Sequence, residues 1–398
     1  MINDRLSELR DYPFGRLNAL LDGIDPAPGA GPDGAPIIMS IGEPGHAFPD
    51  MVTTLLADNA ALWRKYPPIG GTADLRAAIA DWLTRRYELQ PGMVTAEHHV
   101  LPVAGTREAL FTIALAAVPT EKAGKRPVAL IPDPFYQVYV GAAIMAGAEP
   151  VFVPTTAATG FLPDFAALPD DILDRAAIAY LCSPSNPQGA IADIDALIAM
   201  VRLARERDFV LAADECYCEI YDGDPPPGIL QACAALGGDM ANVMAFHSLS
   251  KRSNVPGLRS GFVAGEPGLI TKFARLRNYT GGVTPLPIQA VAAALWRDEA
   301  HVADNRAQYR AKFDLAEQYL AGRAAFYRPP GGFYLWLDVG GGEAAAKRLW
   351  AEAGIKVMPG AYLSREHPDP PGAAYIRAAL VHDRDTTAGA LARMAEIL

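Results

Sequence analysis

Between residues 100 and 265, short uninterrupted apolar runs are separated by segments with helical periodicity. Apolar runs without polar alternation are typical of strands buried on both faces, and intervening helices indicate a mostly parallel sheet. The predicted strands are Val128–Ile131, Val151–Val153, Ile178–Cys182, Val210–Ala213, Val243–Phe246 and Gly261–Ala264. Helical periodicity is clearest at Ala73–Tyr87, Arg107–Val118 and Asp193–Arg207. The pattern predicts an α/β fold with its ligand site at the carboxyl ends of the strands.

The pattern changes after residue 285. A helical stretch from Leu286 to about Leu320 precedes two apolar strands, Gly331–Leu337 and Ala374–Leu380, with a helix from about residue 343 between them. This mixture predicts a second, smaller α+β domain. The predicted division is an N-terminal segment that joins the small domain (1–40), a large domain (41–285), and an interdomain helix with the C-terminal small domain (286–398).

Charge and cysteine content narrow the function. The 398 residues carry 35 basic and 45 acidic side chains, a net charge of −10, which argues against a nucleic-acid surface. The four cysteines lack CxxC spacing, so we expect free thiols and no metal site. The charged N-terminus and the absence of a long apolar run predict no secretory signal and no membrane span. We therefore expect a cytoplasmic protein with small-molecule partners.

The segment Ser248-Leu249-Ser250-Lys251 directly follows the predicted strand Val243–Phe246. A lysine at the end of a buried strand is costly unless it is paired or used covalently. A Schiff base with pyridoxal phosphate (PLP) would use Lys251 and leave Ser248 and Arg259 to hold the phosphate. The alternative is a lysine that reaches the surface in a loop, the usual fate of lysines.

Three other strand ends carry polar residues that suit the same cofactor. Gly105-Thr106 precedes a helix, where free N–H groups bind anions, although a plain helix start is equally consistent. Asp214 would pair with a protonated pyridine nitrogen or, alternatively, cap a helix. Asn186 and Tyr217 could donate hydrogen bonds to the ring hydroxyl, whereas most Asn-Pro dipeptides are ordinary turns.

Taken together, these motifs resemble the class I/II, fold-type I aminotransferases over nearly the whole chain. The motifs are Ile41-Gly42-Glu43-Pro44, Tyr66-Pro67-Pro68-Ile69-Gly70-Gly71, Ala104-Gly105-Thr106, Asp133-Pro134-Phe135-Tyr136, Asn186-Pro187, Asp214-Glu215-Cys216-Tyr217, Ser248-Leu249-Ser250-Lys251, Gly257-Leu258-Arg259, Gly331–Trp336, Pro359-Gly360 and Tyr375-Ile376-Arg377. The resemblance implies an aspartate aminotransferase-like fold: a large PLP-binding domain with a mostly parallel, seven-stranded sheet between helices, and a smaller α+β domain. It also implies a homodimer with shared active sites.

The resemblance further implies roles for individual residues. Lys251 would form the Schiff base and then act as the base that moves the substrate proton. Asp214 would keep the pyridine nitrogen protonated, and Arg377 would bind the substrate α-carboxylate with its planar fork. The other implied contacts are Tyr217 and Asn186 with the ring hydroxyl, Tyr136 with the ring face, Gly105, Thr106, Ser248, Arg259 and the partner's Tyr66 with the phosphate, and Gly42 and Asn186 with substrate.

The implied reaction is a ping-pong transamination between an amino acid and a 2-oxo acid, with glutamate and 2-oxoglutarate as the common pair. The stretch Arg252–Gly257 and the triplet Tyr12-Pro13-Phe14 resemble succinyldiaminopimelate aminotransferases of lysine biosynthesis. The loop Tyr279–Pro287 contains no Arg or Lys, which suits a long acylated substrate better than aspartate. An aspartate or other amino-acid aminotransferase, a PLP-dependent C–S lyase and a PLP-dependent ligand-sensing domain are the alternatives.

Overall fold

A computed structural model describes residues 2–280 and 282–398. The predicted loop Tyr279–Pro287 includes Gly281, which lies outside the described residues. The strands are β1 Ile37–Ile38, β2 Val100–Val103, β3 Val128–Asp133, β4 Glu149–Pro154, β5 Ala176–Cys182, β6 Val210–Asp214, β7 Val243–Ser248, β8 Gly261–Gly265, β9 Tyr334–Asp338, β10 Ile355–Lys356, β11 Met358–Pro359 and β12 Tyr375–Ala379. The α-helices are α1 Pro13–Leu21, α2 Met51–Asp58, α3 Ala73–Arg86, α4 Thr106–Ala117, α5 Gln137–Ala146, α6 Asp170–Leu173, α7 Ile194–Glu206, α8 Ile229–Ala235, α9 Leu249–Arg252, α10 Pro267–Thr280, α11 Leu286–Arg297, α12 Ala300–Leu320, α13 Gly342–Ala353 and α14 Arg384–Ile397.

A seven-stranded sheet of order β2-β8-β7-β6-β5-β3-β4 forms the larger core. Strands β7, β6, β5, β3 and β4 pair in parallel, and β8 runs antiparallel to both of its neighbours. The six predicted strands are all present, each extended by one or more residues, and β2 is an additional edge strand. The register places Cys182 beside Asp214 and Asp214 beside Phe246 at one edge of the sheet.

Both faces of this sheet are covered, which explains the uninterrupted apolar runs. Successive residues of a strand point to opposite faces. In β5, Ala179 and Leu181 belong to one apolar cluster, whereas Ile178 and Tyr180 belong to another on the opposite face. Because helices pack against each cluster, every residue of β5 is buried and the strand has no solvent-facing polar positions.

The long helix predicted from Leu286 to about Leu320 is two helices, α11 and α12. Asp298 separates them with an extended backbone, and its N–H still donates to the carbonyl of Ala294 at the end of α11. Its carboxylate accepts a hydrogen bond from the N–H of His301 at 3.1 Å in the first turn of α12. The prediction of one helix was wrong because apolar periodicity continues across the break that the extended backbone of Asp298 creates.

A three-stranded sheet of order β11-β12-β9 forms the second core, within residues 334–379. Strand β1 of the N-terminal segment pairs in parallel with β10, which lies within residues 334–379. Ile37 of β1 is buried with Leu335 and Ile376 in the apolar cluster of this second core. This pairing agrees with the expectation that residues 1–40 join the small domain, and the domain boundaries stay a prediction. In the part of the chain that the structure describes, no helix is long and apolar enough to cross a membrane.

Candidate active site

A cavity of about 660 Å³ lies at the carboxyl ends of β3, β5, β6 and β7. This is where ligands bind in open α/β sheets, and the size is typical of a small-molecule site. Ten of the predicted site residues line it: Gly42, Thr106, Tyr136, Asn186, Asp214, Tyr217, Ser248, Lys251, Arg259 and Arg377. The topology therefore brings together side chains that are up to 335 positions apart, counted from Gly42 to Arg377.

Lys251 lies in the short helix α9 directly after β7, and its amine projects into the cavity. Its Nζ donates a hydrogen bond to the carbonyl of Gly42. Burial lowers the pKa of Lys251 to about 8, and the nearby cations Arg377 and Arg107 act in the same direction. A lysine with this pKa has a sizeable uncharged fraction near neutral pH, which is the nucleophilic and basic form of the amine.

Asp214 ends β6 at the base of the cavity and is only 5% exposed. Its carboxylate accepts hydrogen bonds from the hydroxyl of Tyr139 at 2.7 Å and the N–H of Cys216 at 3.3 Å. Burial raises its pKa, and no described cationic side chain pairs with it within 4.0 Å. A turn rather than an α-helix follows Asp214, which disfavours a helix cap. The carboxylate is therefore available to a cationic ligand atom.

Gly105 and Arg259 form an anion cradle at the start of α4. Gly105 has φ +89°, and a Cβ there would overlap the guanidinium of Arg259, so a residue without a side chain is required. Arg259 donates to the carbonyls of Pro256 at 2.9 Å and Ala104 at 3.3 Å, and no described carboxylate pairs with it. A positively charged fork beside free helix N–H groups suits a phosphate.

Two serines and a threonine add hydroxyl groups to this cradle. Ser248 Oγ lies 2.9 Å from Ser250 Oγ and caps α9 by accepting from the N–H of Ser250 at 3.1 Å. Thr106 Oγ1 lies 3.0 Å from Cys216 Sγ. All four of these residues line the cavity, so the hydroxyls can turn toward a bound anion.

Arg377 of strand β12 provides another cationic group that lines the cavity. Its Nη1 donates to Asn186 Oδ1 at 2.9 Å and its Nη2 to the carbonyl of Ser40 at 2.8 Å. The guanidinium lies 4.4 Å from the ring centre of Tyr334, and none of the described carboxylates pairs with it. A buried arginine that is held in place without an acidic partner suits the carboxylate of a ligand.

The other predicted site residues are Tyr217, Tyr136, Gly42 and Tyr66, and three of these four line the cavity. The hydroxyls of Tyr217 and Tyr334 share a hydrogen bond of 3.1 Å. Tyr136 lines the cavity and accepts a hydrogen bond from Arg107 Nε at 2.7 Å. Gly42 has a packing reason of its own, because a Cβ there would overlap the Tyr334 hydroxyl. Tyr66 does not line the cavity of this chain and is fully exposed, so its predicted role in a partner's site stays a prediction.

The structure also brings in residues that the sequence analysis missed. Tyr139 holds Asp214, Arg107 adds a cation, and Cys216 and Tyr334 line the cavity. Arg107 and Cys216 sit beside predicted residues in the chain, so scanning the neighbours of each motif would have found them. Tyr139 and Tyr334 lie within apolar patterns, and only their tertiary contacts distinguish them from core residues.

Comparison with known proteins agrees with this geometry. Residues 37–393 match the family model described as aminotransferase class I and II. The chain belongs to this family. It is 33% identical to an LL-diaminopimelate aminotransferase of Desulforudis audaxviator, over 89% of this chain and 88% of that one. It is 34% identical to the 4-dedimethylamino-4-oxo-anhydrotetracycline transaminase OxyQ of Streptomyces rimosus, over 92% of this chain and 94% of that one.

Solved structures confirm the fold. An aminotransferase from Neisseria meningitidis superposes with a TM-score of 0.93 at 39% identity and 99% coverage of both chains. A variant of the Thermus thermophilus aspartate aminotransferase superposes with a TM-score of 0.83 at 25% identity and 100% coverage of both chains. The predicted aspartate aminotransferase-like, fold-type I architecture is thus confirmed.

The protein is accordingly a PLP-dependent aminotransferase, and it acts on amino acids and 2-oxo acids, as the family does. The described residues fit the cofactor. Among the described residues, the buried carboxylate of Asp214 has no cationic partner, the Arg259 cradle suits a phosphate, and the Lys251 amine projects into the same cavity. These are the three groups that a pyridinium nitrogen, a phosphate and an aldehyde require.

Proposed function

We propose that the protein transfers the amino group of N-succinyl-LL-2,6-diaminopimelate or a related long amino acid to 2-oxoglutarate, in a ping-pong reaction of lysine biosynthesis. The observation that carries the proposal is one cavity that contains an amine with a lowered pKa, Lys251, and three arginines without carboxylate partners among the described residues, Arg107, Arg259 and Arg377. Arg259 suits the cofactor phosphate, Arg377 the substrate α-carboxylate, and Arg107 a distal carboxylate of the substrate.

Four parts of the cavity would hold the cofactor. Asp214 would face the pyridine nitrogen, and the Arg259 cradle with Gly105, Thr106 and Ser248 would bind the phosphate. Tyr217 and Asn186 would contact the ring hydroxyl, and Tyr136 would cover a ring face. When bound, PLP supplies an aldehyde for the substrate amine and a ring that withdraws electrons from the substrate's α-carbon.

The chain's own side chains provide orientation and proton transfer. Arg377 would grip the α-carboxylate with its planar fork while Asn186 and Ser40 keep the guanidinium in place. Lys251 would take the α-proton as its free amine, because its lowered pKa makes that form available near neutral pH. Tyr139 would keep the Asp214 carboxylate oriented toward the ring nitrogen.

Arg107 supports a substrate with a distal carboxylate. Its Nε is held by the hydroxyl of Tyr136, whereas its two terminal nitrogens have no hydrogen-bond partner among the described residues. The side chain lines the cavity near Tyr12 and Phe14. A succinylated diaminopimelate carries carboxylates beyond the reacting end, and a two-pronged arginine pair would select for them.

Unmodified LL-diaminopimelate is the second candidate, and the names of the curated relatives favour it. Its distal end carries an ammonium as well as a carboxylate. Glu43 lines the same cavity as Arg107. The cavity therefore offers a carboxylate for the distal ammonium and a guanidinium for the distal carboxylate.

We also propose a cytoplasmic homodimer with the two-domain division at residues 40 and 285. Free cysteines support a reducing compartment. The exposed aromatic residues Phe48, Trp63 and Tyr66, which lie within one stretch of the sequence, support a subunit interface that includes this segment. Tyr66 of the partner would then reach the phosphate cradle.

The deciding experiment compares kcat/KM for N-succinyl-LL-diaminopimelate, LL-diaminopimelate, glutamate and aspartate, each with a 2-oxo acid acceptor. We expect the succinylated compound to be best, and we expect Arg107→Gln to reduce its kcat/KM at least tenfold through KM while Arg107→Lys retains more. Best turnover of aspartate, with both diaminopimelates inert, would refute the substrate proposal. Pyruvate and ammonia as products would refute transamination itself.

A further inference from the structure

A polar chain that is half-buried at one member and buried at the other two connects the main chain of Lys251 to helix α12. Its members are Lys312, His46 and Asn305. Lys312 and Asn305 are each 2% exposed. Buried polar groups that form a continuous chain fix the relative positions of the elements that carry them. Here the elements are α12 and the segment that contains Gly42.

The hydrogen bonds define the direction of the chain. Asn305 Nδ2 lies 3.1 Å from the carbonyl of Lys251 and 3.3 Å from that of Arg252. Since carbonyls only accept, the nitrogen of the amide must face them and Oδ1 must face the other way. His46 Nδ1 and Asn254 Nδ2 each lie 2.9 Å from this Oδ1, so Nδ1 must carry the proton and donate it.

Lys312 determines the other side of the imidazole. Its Nζ lies 2.6 Å from His46 Nε2 and 2.9 Å from the carbonyl of Leu380. Because the amine donates to Nε2, the neutral ring keeps its proton on Nδ1. Burial and the adjacent Lys312 both lower the pKa of His46, which keeps the ring neutral. Tyr309 supports the ring at a centroid distance of 4.6 Å.

Two contacts therefore reach Lys251 from one short segment. The carbonyl of Gly42 accepts from the Lys251 amine. Four residues later, His46 reaches the main-chain carbonyl of Lys251 through Asn305. A lysine whose tip and backbone are both held from the same segment has little freedom to change its position relative to that segment.

We propose that His46 is a positioning residue for Lys251, acting through the side chain of Asn305 on the lysine's main-chain carbonyl. The inference rests on the proposed role of Lys251 in the reaction. Lys312 supports this role because its hydrogen bond to Nε2 stabilises the tautomer of His46 that donates to Asn305.

Two substitutions of His46 separate this role from simple packing. In asparagine the amide nitrogen is bonded to Cγ, as Nδ1 is in histidine, so His46→Asn can still donate to Asn305 Oδ1. In glutamine the amide nitrogen lies farther out, near the position of Nε2, so His46→Gln can contact Lys312 but loses the bond to Asn305. His98→Gln, at a side chain that is 69% exposed, is the matched surface control.

The holoenzymes are compared by kcat, by KM, and by the pH midpoint of the visible absorbance change of bound PLP. We expect His46→Gln to lower kcat about fivefold, the effect of one lost hydrogen bond, with KM unchanged. We expect its absorbance midpoint to move, while His46→Asn and His98→Gln match the wild type in both measurements. Thermal melting without substrate reports stability separately.

Equal kcat and equal midpoints in His46→Gln and the wild type would overturn the proposal, as would equal losses in His46→Gln and His46→Asn. If His46→Gln does not fold, Asn305→Ser decides, because it removes the amide that contacts Lys251; a wild-type kcat and midpoint in that variant would also overturn it. Failure of the proposed function is distinguishable, since it would appear as absent transamination in the wild type.

Discussion

Replacement of Tyr139 by phenylalanine tests how the site keeps Asp214 charged. The tyrosine hydroxyl donates to Asp214 Oδ2 at 2.7 Å, and both side chains are at most 5% exposed. Tyr139→Phe removes this donor and leaves the N–H of Cys216. A hydrogen bond to a buried charged group is worth about 1.5–3 kcal/mol. Since one pKa unit is about 1.4 kcal/mol, the pKa of Asp214 should rise by roughly one to two units.

The sign of the effect follows from the form of Asp214 that is needed. Burial already raises the pKa of this carboxyl group, and only the ionised form can stabilise a protonated pyridine nitrogen. As the pH falls, the carboxylate of the variant gains its proton earlier than that of the wild type. The acidic limb of kcat/KM against pH should therefore move up by about one to two units.

The assay is kcat/KM from pH 5 to 9 in the wild type, Tyr139→Phe and Tyr180→Phe. Tyr180 stacks on Tyr139 at 4.5 Å between ring centres and is equally buried, but its hydroxyl donates to the carbonyl of Leu110. It is a matched control for the loss of a buried tyrosine hydroxyl. A Tyr139→Phe profile that superposes on the wild type, or an equal shift in Tyr180→Phe, would refute the reasoning.

Three further predictions concern the reaction, the substrate and the assembly. Lys251→Ala should abolish transamination, and borohydride should no longer fix PLP to the chain. In the wild-type apoprotein, the rate of PLP attachment should rise with pH around a midpoint of about 8, because the pKa of Lys251 is lowered to about 8. Continued fixation of PLP in the variant would disprove the assignment. Arg377→Ala should lower kcat/KM for every amino acid by the equivalent of roughly 2–5 kcal/mol, because it removes one partner of a buried charge pair. Arg377→Lys should recover part of that loss, and a loss for one substrate only would contradict a role at the α-carboxylate. Sedimentation should show at least a dimer, and Tyr66→Phe should weaken PLP binding without lowering the melting temperature. An active monomer at assay concentration would exclude a site shared between subunits.

Much of the fold follows from local patterns in the sequence. Strands such as Val210–Asp214 and Val243–Ser248 are recognisable because a strand covered on both faces has no polar alternation. Parallel strands bring their carboxyl ends to one edge, so the residues that follow them, Asp214 and Lys251 among them, are expected to meet there. Local patterns thus predict six of the seven strands of the sheet, the edge that carries the site and the charged groups at that edge.

Tertiary packing decided the contacts that no periodicity records. Tyr139 lies in an apolar helix, and only the packing of α5 against the sheet places its hydroxyl on Asp214. Likewise, Gly42 is required by the hydroxyl of Tyr334, and His46 reaches Lys251 through an asparagine of α12. These partners lie 54 to more than 250 positions apart. A side chain's local sequence carries no information about a partner that the chain brings to it only when the sheet and helices pack.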